Sequence, residues 1–574
     1  MIALDFETFS GVNLKDVSYN QYFNDPQYHP QRCGFFGTFP TAAEDLSPAD
    51  RRAAYDTLLP YRTPNSYLGG QLDFLQHPEH ARAVVEAIHV LDRHVVLHNR
   101  SFDTKAISAL VSKSITSQVS YIDTAMLSRR LGGSSNLDSA VRQWVTNIVK
   151  MPEGRRLLKK FSLCDIPPTA EAVKHDPDWA LYGEYAYQDA RLAFHLAEFF
   201  TGIFGLGTIL QMGQEQGITD AMNDIGWPVE LAAVDAMLAQ QEYNTPQSIE
   251  FSHVMYGVPE NFNYGSFQQK KEFCLTRGVN AKSFDEASVA ELLDKCQDRV
   301  VTHRTARLEQ VISMLETLQE IGGSSLKKLP VIKKMTDSDG RLRDQYLHCG
   351  AVQSLRTTGV GVQMQNLPRL SRTTVDFDKL EDPNHNASNT VLAGNLRRLF
   401  KASWPGGQLI VGDFSSIESR GLAALAGAQW KLGEYQAGRA MYKVLAAKQF
   451  NIDYADVTPE QRTFGKVGEL ACGYGAGPES VRGFAKGMGV KLDPAEAANL
   501  VRGWRDTNPE VVELWKLLDD TFHLCVATKQ PQVLAQGDFS FDFIPISTPT
   551  SITNMHPGAK SFSVRVTTPD RSRF

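Results

Sequence analysis

The spacing of apolar residues divides the chain into regions of different predicted structure. Residues 1–4 are apolar and run into Asp5 and Glu7, a pattern that predicts a buried strand with acids at its carboxyl end. Residues 94–98 predict a second strand, and helical spacing over residues 180–200 predicts a helix that stops near Gly202. Together these elements predict a first α/β unit of roughly 200 residues.

After residue 205 the predicted secondary structure changes twice along the chain. Residues 206–345 carry apolar positions mostly at helical spacing, which predicts a helical middle region. Residues 408–413 form an apolar run that ends in Asp413 and predicts another buried strand. Helical spacing then continues to Asp520, and the Ser, Thr and Pro content beyond Pro545 predicts an irregular tail.

Composition narrows the class of protein. The chain has 574 residues, 42% hydrophobic and 22% charged, which is typical of a globular protein with two or three domains. Its seven single cysteines favour reduced thiols and argue against a zinc site. No apolar run has the length of a membrane span and the start is unlike a signal peptide, so we expect a cytoplasmic protein without a membrane partner. The net charge of −6 leaves a local basic channel for nucleic acid open.

Acidic side chains follow the predicted strands of the first unit. Asp5 and Glu7 are two apart on a strand, so both side chains leave the same face. Asp103 follows the second strand, and Tyr185 and Asp189 share one helical face at i and i+4. Clustered carboxylates repel one another, and their oxygens suit Mg²⁺ or Mn²⁺. The set predicts a two-metal site for phosphodiester hydrolysis, whereas each acid alone would be an ordinary solvated residue.

In this order the motifs resemble those of the DEDDy family of 3′–5′ exonucleases. The resemblance covers residues 1–205 and implies a ribonuclease-H-like fold. It implies that two Mg²⁺ or Mn²⁺ ions are bound by Asp5, Glu7, Asp103 and Asp189, and that Tyr185 orients the attacking water.

Two further polar residues, Asp123 and His98, lie near these motifs. Asp123 follows a strand-like segment, and the amino-terminal cap of a helix is a better interpretation of it than a metal ligand. His98 either contacts the substrate or is a hydrogen-bonded core histidine.

The carboxyl-terminal half carries a second set of candidates. Asp413 ends the predicted strand, and Glu418 lies just inside the following helix. Further on, side chains at i+4 intervals predict one helical face that carries Arg462, Lys466, Leu470 and Tyr474. Two cations can neutralise a triphosphate and the aromatic ring can pack against a base or sugar, although such a face could also dock on acidic neighbours.

These residues resemble motifs A and B of family A DNA polymerases, and the spacing RxxGKxxELxxGYGxG is similar to the phage-type subgroup. The resemblance implies that Asp413 holds catalytic Mg²⁺, that Glu418 excludes a ribose 2′-OH, and that the incoming nucleotide meets Arg462, Lys466 and Tyr474. Leu470 departs from the usual Phe or Tyr, which implies weaker stacking on the sugar. Residues 324–328 are similar to the thumb-to-palm segment, and residues 350–369 are similar to a palm segment that contacts primer–template DNA through Arg356, Gln365 and Asn366.

The expected architecture is therefore an α/β exonuclease domain followed by a largely helical right-hand polymerase domain with thumb, palm and fingers. We expect the exonuclease at 1–205, a helical connection and thumb-like region at 206–345, and a palm part with motif A at 346–425. Fingers with motif B follow at 426–520, and partial palm strands with an irregular tail at 521–574.

One family feature is missing from the sequence. Family A enzymes carry a second palm carboxylate in a His-Asp-Glu motif C, and no such triplet follows Tyr474. The leading hypothesis is a phage-type replicative DNA polymerase with a 3′–5′ proofreading exonuclease, acting on primer–template DNA and dNTPs in the cytoplasm, which is the host cytoplasm for a phage-encoded chain. Either a second polypeptide supplies motif C, or the chain is a truncated or decayed polymerase. The alternatives are an exonuclease only, or an inactive primer–template-binding fragment of a split or truncated polymerase.

Overall fold

The chain forms two compact units, residues 1–409 and 410–574. The computed structural model describes residues 1–14, 17–38, 47–63, 67–92, 94–112, 116, 118–145, 150–322, 325–380, 387–534, 539–545 and 562–567. The first residue of the thumb-to-palm match, Ser324, lies outside the described residues. The boundary between the units falls inside the segment expected to form the first part of the palm.

A mixed sheet forms the centre of residues 1–204. Its strands are β1 (Ile2–Phe9), β2 (His29–Thr38), β3 (Tyr67–Asp73), β4 (His94–Leu97) and β5 (Ser120–Asp123), in the order β3-β2-β1-β4-β5. β2 pairs antiparallel with β1 and β3, whereas β1, β4 and β5 run parallel. The predicted strands at both positions are confirmed, and β1 extends far enough to include Asp5 and Glu7. The carboxyl ends of the parallel strands therefore meet at one edge.

Helices cover this sheet. They are α1 (Tyr19–Phe23), α2 (Pro48–Leu58), α3 (Pro78–Leu91), α4 (Arg100–Leu110), α5 (Thr124–Arg130), α6 (Leu137–Trp144), α7 (Gly154–Phe161), α8 (Ala170–Val173) and α9 (Pro177–Phe204). Ile2, Leu4 and Phe6 of β1 pack in one core with apolar residues of α2, α3 and α4. Because side chains alternate along a strand, Asp5 and Glu7 point to the other face, where α9 lies. The helix predicted over residues 180–200 is confirmed within α9.

A glycine brings α9 close to the sheet. Gly34 of β2 pairs directly with Asp5, so the two residues share a face of the sheet. A Cβ atom on Gly34 would overlap the backbone of Ala186 and Tyr187 in α9. The missing side chain thus allows α9 to lie against the strand beside Asp5.

The region after α9 is mainly helical, as predicted. It contains α10 (Leu206–Ile225), α11 (Leu231–Tyr256), α12 (Phe267–Thr276), α13 (Glu286–Thr302), α14 (Ala306–Gly322) and α15 (Lys328–Met335). Short elements complete the first unit: β6 (Trp227–Pro228), β7 (Arg341–Leu342), β8 (Tyr346–Ala351), β9 (Arg356–Gly359) and α16 (Asn389–Ala393).

The second unit is a helical bundle with a small sheet. Its helices are α17 (Ile417–Ala426), α18 (Gln429–Gln436), α19 (Met441–Phe450), α20 (Pro459–Cys472), α21 (Pro478–Gly487), α22 (Pro494–Thr507) and α23 (Pro509–Thr528). Its strands are β10 (Gln532–Leu534), β11 (Phe539–Pro545) and β12 (Phe562–Thr567), which pair antiparallel in that order. The prediction of an irregular tail was wrong for β12, where Phe, Val and Val alternate with Ser, Arg and Thr.

The prediction of a buried strand over residues 408–413 was wrong. The backbone there is irregular, and the side chains of Ile410 and Val411 are 98% and 91% exposed. A buried strand needs neighbouring strands for its hydrogen bonds and a covering layer for its side chains, and no described strand pairs with this segment. The apolar run therefore indicates a preference for strand structure, but it does not indicate which strand would pair with the segment.

Two observations bear on the expectations from composition. All seven cysteines are free. No described helix is by itself long and apolar enough to cross a membrane, although α9 and α10, bent by 110°, reach that length and composition as a pair.

We predict that Gly34→Ala destabilises the first unit by about 1–3 kcal/mol, because the added methyl group forces α9 away from β2. The control is Gly207→Ala in α10, where a Cβ meets nothing and the change in helix propensity adds about 0.5–1 kcal/mol of stability. Urea unfolding followed by circular dichroism measures both. Equal stability of the two variants would contradict the close approach.

Candidate active sites

The first candidate site lies between β1 and α9. Asp5 and Glu7 project from β1 towards α9, which carries Asp189 one helical turn after Tyr185. Asp103 in the first turn of α4 joins them by accepting a hydrogen bond from the backbone N–H of Phe6. All four carboxylates are buried or nearly so, and they interact electrostatically with one another. The structure therefore brings together the acids predicted from the first three motifs.

Burial governs the protonation of these acids. Loss of solvation, reinforced by the nearby Asp189 carboxylate, raises the pKa of Asp5 to about 8. Burial, with Asp5 as the next cause, raises the pKa values of Glu7 and Asp103 well above their usual range. Burial also raises the pKa of Asp189. The raised pKa values show that the charged form of these acids is unfavourable in this site, and a nearby cation would stabilise that charged form.

Tyrosines of α9 hold two of the carboxylates in place. The Tyr182 hydroxyl donates to Glu7 Oε2 at 3.1 Å and contacts the Ser162 hydroxyl. The Tyr185 hydroxyl lies near the Asp189 carboxylate, one turn further along the helix, and interacts with it electrostatically. The two tyrosine rings are nearly parallel, with centroids 6.4 Å apart. Tyr185 therefore lies beside the carboxylates predicted from the first three motifs.

A lysine that the sequence analysis missed also belongs to this site. Lys150 forms an ion pair with Asp189 through Oδ2, and its ammonium group lies 4.9 Å from the centroid of the Tyr185 ring. Gly154 at the start of α7 packs against the same ring so closely that a Cβ would overlap it. No motif pointed to Lys150, because its partners lie far away in the sequence.

The carboxylates fit divalent metal ions in their chemistry. Asp5 Oδ2 and Asp189 Oδ1 are buried and have no hydrogen-bond partner. Free carboxylate oxygens are the ligands that Mg²⁺ and Mn²⁺ prefer. Among the described residues, no group of three His, Cys, Asp or Glu side chains has its atoms close enough together to hold one ion. Asp189 is instead engaged by Lys150.

Two neighbours have structural roles. Asp123 caps α5, accepting hydrogen bonds from the backbone N–H groups of Ala125 and Met126, as predicted. The His98 ring contacts Thr124 Oγ1 at 2.8 Å and the Ser135 carbonyl at 2.9 Å. Burial lowers the pKa of His98 to about 4, so the ring is neutral at physiological pH. These contacts favour the core histidine over the substrate contact.

The second candidate site is a cleft of about 610 Å³ in the second unit. It is lined by residues from the segment before α17, from α17 itself and from the end of α20, including Asp413, Glu418, Leu470 and Tyr474. Asp413 and Glu418 are solvent-exposed. The structure thus gathers four predicted residues around one opening.

The other predicted residues of the second unit lie along α20. Arg462 is exposed, with its guanidinium 5.6 Å from the Tyr442 ring, and Lys466 is half-buried one turn later. Neither lines the cleft. The prediction of one continuous helical face was wrong at its end, because α20 stops at Cys472 and Tyr474 lies in the following turn. Helical spacing cannot show where a glycine-rich sequence leaves the helix.

A buried ion pair links helices at this cleft, which Glu469 itself lines. Lys431 Nζ lies 2.6 Å from Glu469 Oε1, with the two side chains 1% and 3% exposed. Glu469 also accepts hydrogen bonds from Trp504 Nε1 at 2.9 Å and from the Ser419 hydroxyl. Lys431 donates to Asn508 Oδ1 at 3.1 Å. This network, which the sequence analysis missed, ties α17, α18, α20 and α22 together.

The predicted primer–template residues lie in the first unit. Arg356 begins β9, and Gln365 and Asn366 lie in a short turn of helix, Met364–Asn366. All three side chains are exposed.

Acidic side chains suit divalent ions, and an arginine and a lysine on a nearby helix suit phosphate groups. The chain belongs to DNA polymerase family A, whose family model matches residues 237–524. It is 27% identical to the DNA polymerase of Bacillus phage SP02 over 432 residues, 72% of this chain and 64% of the phage protein. It is 25% identical to DNA polymerase I of Caldicellulosiruptor bescii over 191 residues, 33% of this chain and 19% of that enzyme.

A solved structure shares the fold. The POL domain of Pol1 from M. smegmatis, in complex with DNA primer-template and dNTP, matches with a TM-score of 0.54 at 14% identity. The match covers 93% of this chain and 76% of that chain.

We predict that Lys431→Met costs about 3–5 kcal/mol of unfolding free energy, because it leaves the Glu469 carboxylate buried without its cation. Adding Glu469→Gln, which can still accept from Trp504, should restore most of the loss. Arg439→Met breaks the more exposed pair with Glu434 and should cost less than about 1 kcal/mol. Urea unfolding measures all three. If Lys431→Met were as stable as Arg439→Met, a structural role for the Lys431–Glu469 pair would be ruled out.

Proposed function

We propose that this chain is a phage-type DNA polymerase that extends a primer on a DNA template from dNTPs and proofreads with a 3′–5′ exonuclease. Membership of the family and similarity to the phage SP02 polymerase support the synthetic activity. The cleft that gathers Asp413, Glu418, Leu470 and Tyr474 is where we place the incoming nucleotide. Arg462 and Lys466 on α20 would neutralise its phosphates.

The carboxylate cluster on β1 and α9 is the observation that carries the exonuclease proposal. The sheet order β3-β2-β1-β4-β5, with β2 antiparallel to its neighbours, supports a ribonuclease-H-like domain. We propose that Asp5, Glu7, Asp103 and Asp189 hold two Mg²⁺ or Mn²⁺ ions. Such a pair of ions, when bound, activates water and stabilises the leaving oxygen in phosphodiester hydrolysis.

The protein's own residues would prepare this reaction. Tyr182 fixes the orientation of Glu7 by donating to Oε2, which preorganises one ligand. Tyr185, whose pKa burial raises, stays protonated and can donate a hydrogen bond to the attacking water. The apolar core under β1 keeps the strand rigid, so the carboxylates hold their spacing.

The polymerase site needs a second carboxylate, and we propose that a strand from another polypeptide supplies it. Residues 410–414 are the surface that supports this idea, since Ile410, Val411 and Phe414 are strongly exposed next to Asp413. A strand pairing with this segment would cover its apolar side chains and satisfy its backbone groups. The alternative is an exonuclease whose second unit only binds DNA.

For the exonuclease, we predict that Asp5→Ala with Glu7→Ala reduces the shortening of a single-stranded 3′ end by at least about a hundredfold, because both ions lose ligands. The assay uses a 5′-labelled oligonucleotide with Mg²⁺. The control is Asp165→Ala with Glu171→Ala, which removes two exposed acids of the same unit. Unchanged shortening by the Asp5 and Glu7 variant would refute the site.

For the polymerase, we predict that Asp413→Asn reduces primer extension by at least about a hundredfold and leaves 3′ shortening intact. Extension is measured with dNTPs and Mg²⁺, using the chain alone and with any polypeptide encoded beside it that carries His-Asp-Glu. Asp519→Asn, an exposed acid on α23, is the control. If wild type extends no primer under either condition, the polymerase proposal fails and the exonuclease alternative stands.

A further inference from the structure

Lys150 lies where a cation is needed in the carboxylate cluster. Its ammonium group pairs with Asp189 Oδ2 and interacts electrostatically with Asp5 and Glu7. The Lys150 side chain is 25% exposed, whereas Asp189 is 4% exposed. The lysine therefore reaches from the surface into a buried group of acids.

Lys150 and a bound metal ion would compete for the Asp189 carboxylate. Asp189 has one oxygen bound by the ammonium group and the other without a partner. A divalent ion bound by these acids would be a second positive charge beside the first, and two cations at such short range repel strongly in a poorly solvated site. Because the lysine is partly exposed and its stem is flexible, it can withdraw towards solvent.

We propose that Lys150 is a built-in counter-cation of the nuclease site, which holds Asp189 while no metal is bound and is displaced when a divalent ion binds. The proposal rests on the exonuclease site proposed above. It gives Lys150 a positioning role, because its ammonium group keeps Asp189 and the Tyr185 ring in place in the metal-free protein. The same contact weakens metal binding, because the free energy of breaking the Lys150–Asp189 ion pair is subtracted from that of binding the ion.

The test is Mn²⁺ binding by the full chain, measured by titration calorimetry and by the rise in melting temperature that Mn²⁺ produces. We expect Lys150→Met to bind Mn²⁺ at least about tenfold more tightly than wild type, because the competing charge is gone. Its melting temperature should be lower without metal and should rise more on Mn²⁺ addition than that of wild type.

Two further variants separate charge from packing. Lys150→Arg keeps a positive charge on a long stem and should bind Mn²⁺ within a few-fold of wild type. Lys159→Met removes a lysine from the exposed face of α7 in the same unit and should leave Mn²⁺ affinity unchanged. This pair controls for loss of a side chain and for loss of one unit of charge.

The outcomes distinguish the two proposals. If wild type binds Mn²⁺, loses that binding in Asp5→Ala with Glu7→Ala, and Lys150→Met binds equally or more weakly, the role of Lys150 is refuted while the nuclease site stands. If Lys159→Met tightens binding as much as Lys150→Met, the effect is one of general charge and the specific role is also refuted. If wild type binds no Mn²⁺, the proposed nuclease site fails together with this inference.

Discussion

Burying several carboxylates in one place is the constraint around which the amino-terminal unit is built. Each acid loses solvation and each repels the others, so the cluster is unfavourable unless hydrogen bonds and cations compensate. The strand alternation that places Ile2 and Leu4 in the core necessarily sends Asp5 and Glu7 to the opposite face. Gly34 lets α9 approach that face, and Tyr182 and Lys150 then supply a hydroxyl and a charge. The apolar side chains of β1 anchor the strand in the core, and the positions of Asp5 and Glu7 depend on that anchoring.

Both units place a lysine beside a buried carboxylate, but the surroundings differ. Lys431 and Glu469 are almost completely covered, and Ser419, Trp504 and Asn508 supply further hydrogen bonds to the pair. Such a pair is costly to break and is suited to fixing helices in one arrangement. Lys150 keeps contact with solvent, and its partner Asp189 retains a free oxygen. The first arrangement is a permanent structural contact, whereas the second leaves room for exchange with another cation.

Much of this could be read from the sequence, for identifiable reasons. The strand alternation around Asp5 and Glu7 and the i, i+4 spacing of Tyr185 and Asp189 are local patterns, and local geometry carries them into the folded chain. Lys150 and Lys431 escaped notice because their partners are 39 and 38 residues away, and periodicity contains no information on such pairs. The strand prediction for residues 408–413 was wrong for a related reason, because strand formation depends on a neighbouring strand that the local sequence does not specify.

The exposed segment before α17 links folding and chemistry in the second unit. Asp413 lies between Val411 and Phe414, and these neighbours are exposed because no described strand covers them. Pairing with an added strand would fix the backbone of the segment, and this ordering costs about 1–2 kcal/mol per residue that new hydrogen bonds and apolar burial must offset. The same pairing would fix the direction of the Asp413 carboxylate. Under the proposed function, strand pairing of this segment and formation of the proposed metal-binding carboxylate pair would be one event, so the second unit alone would keep the cleft but lack the second carboxylate.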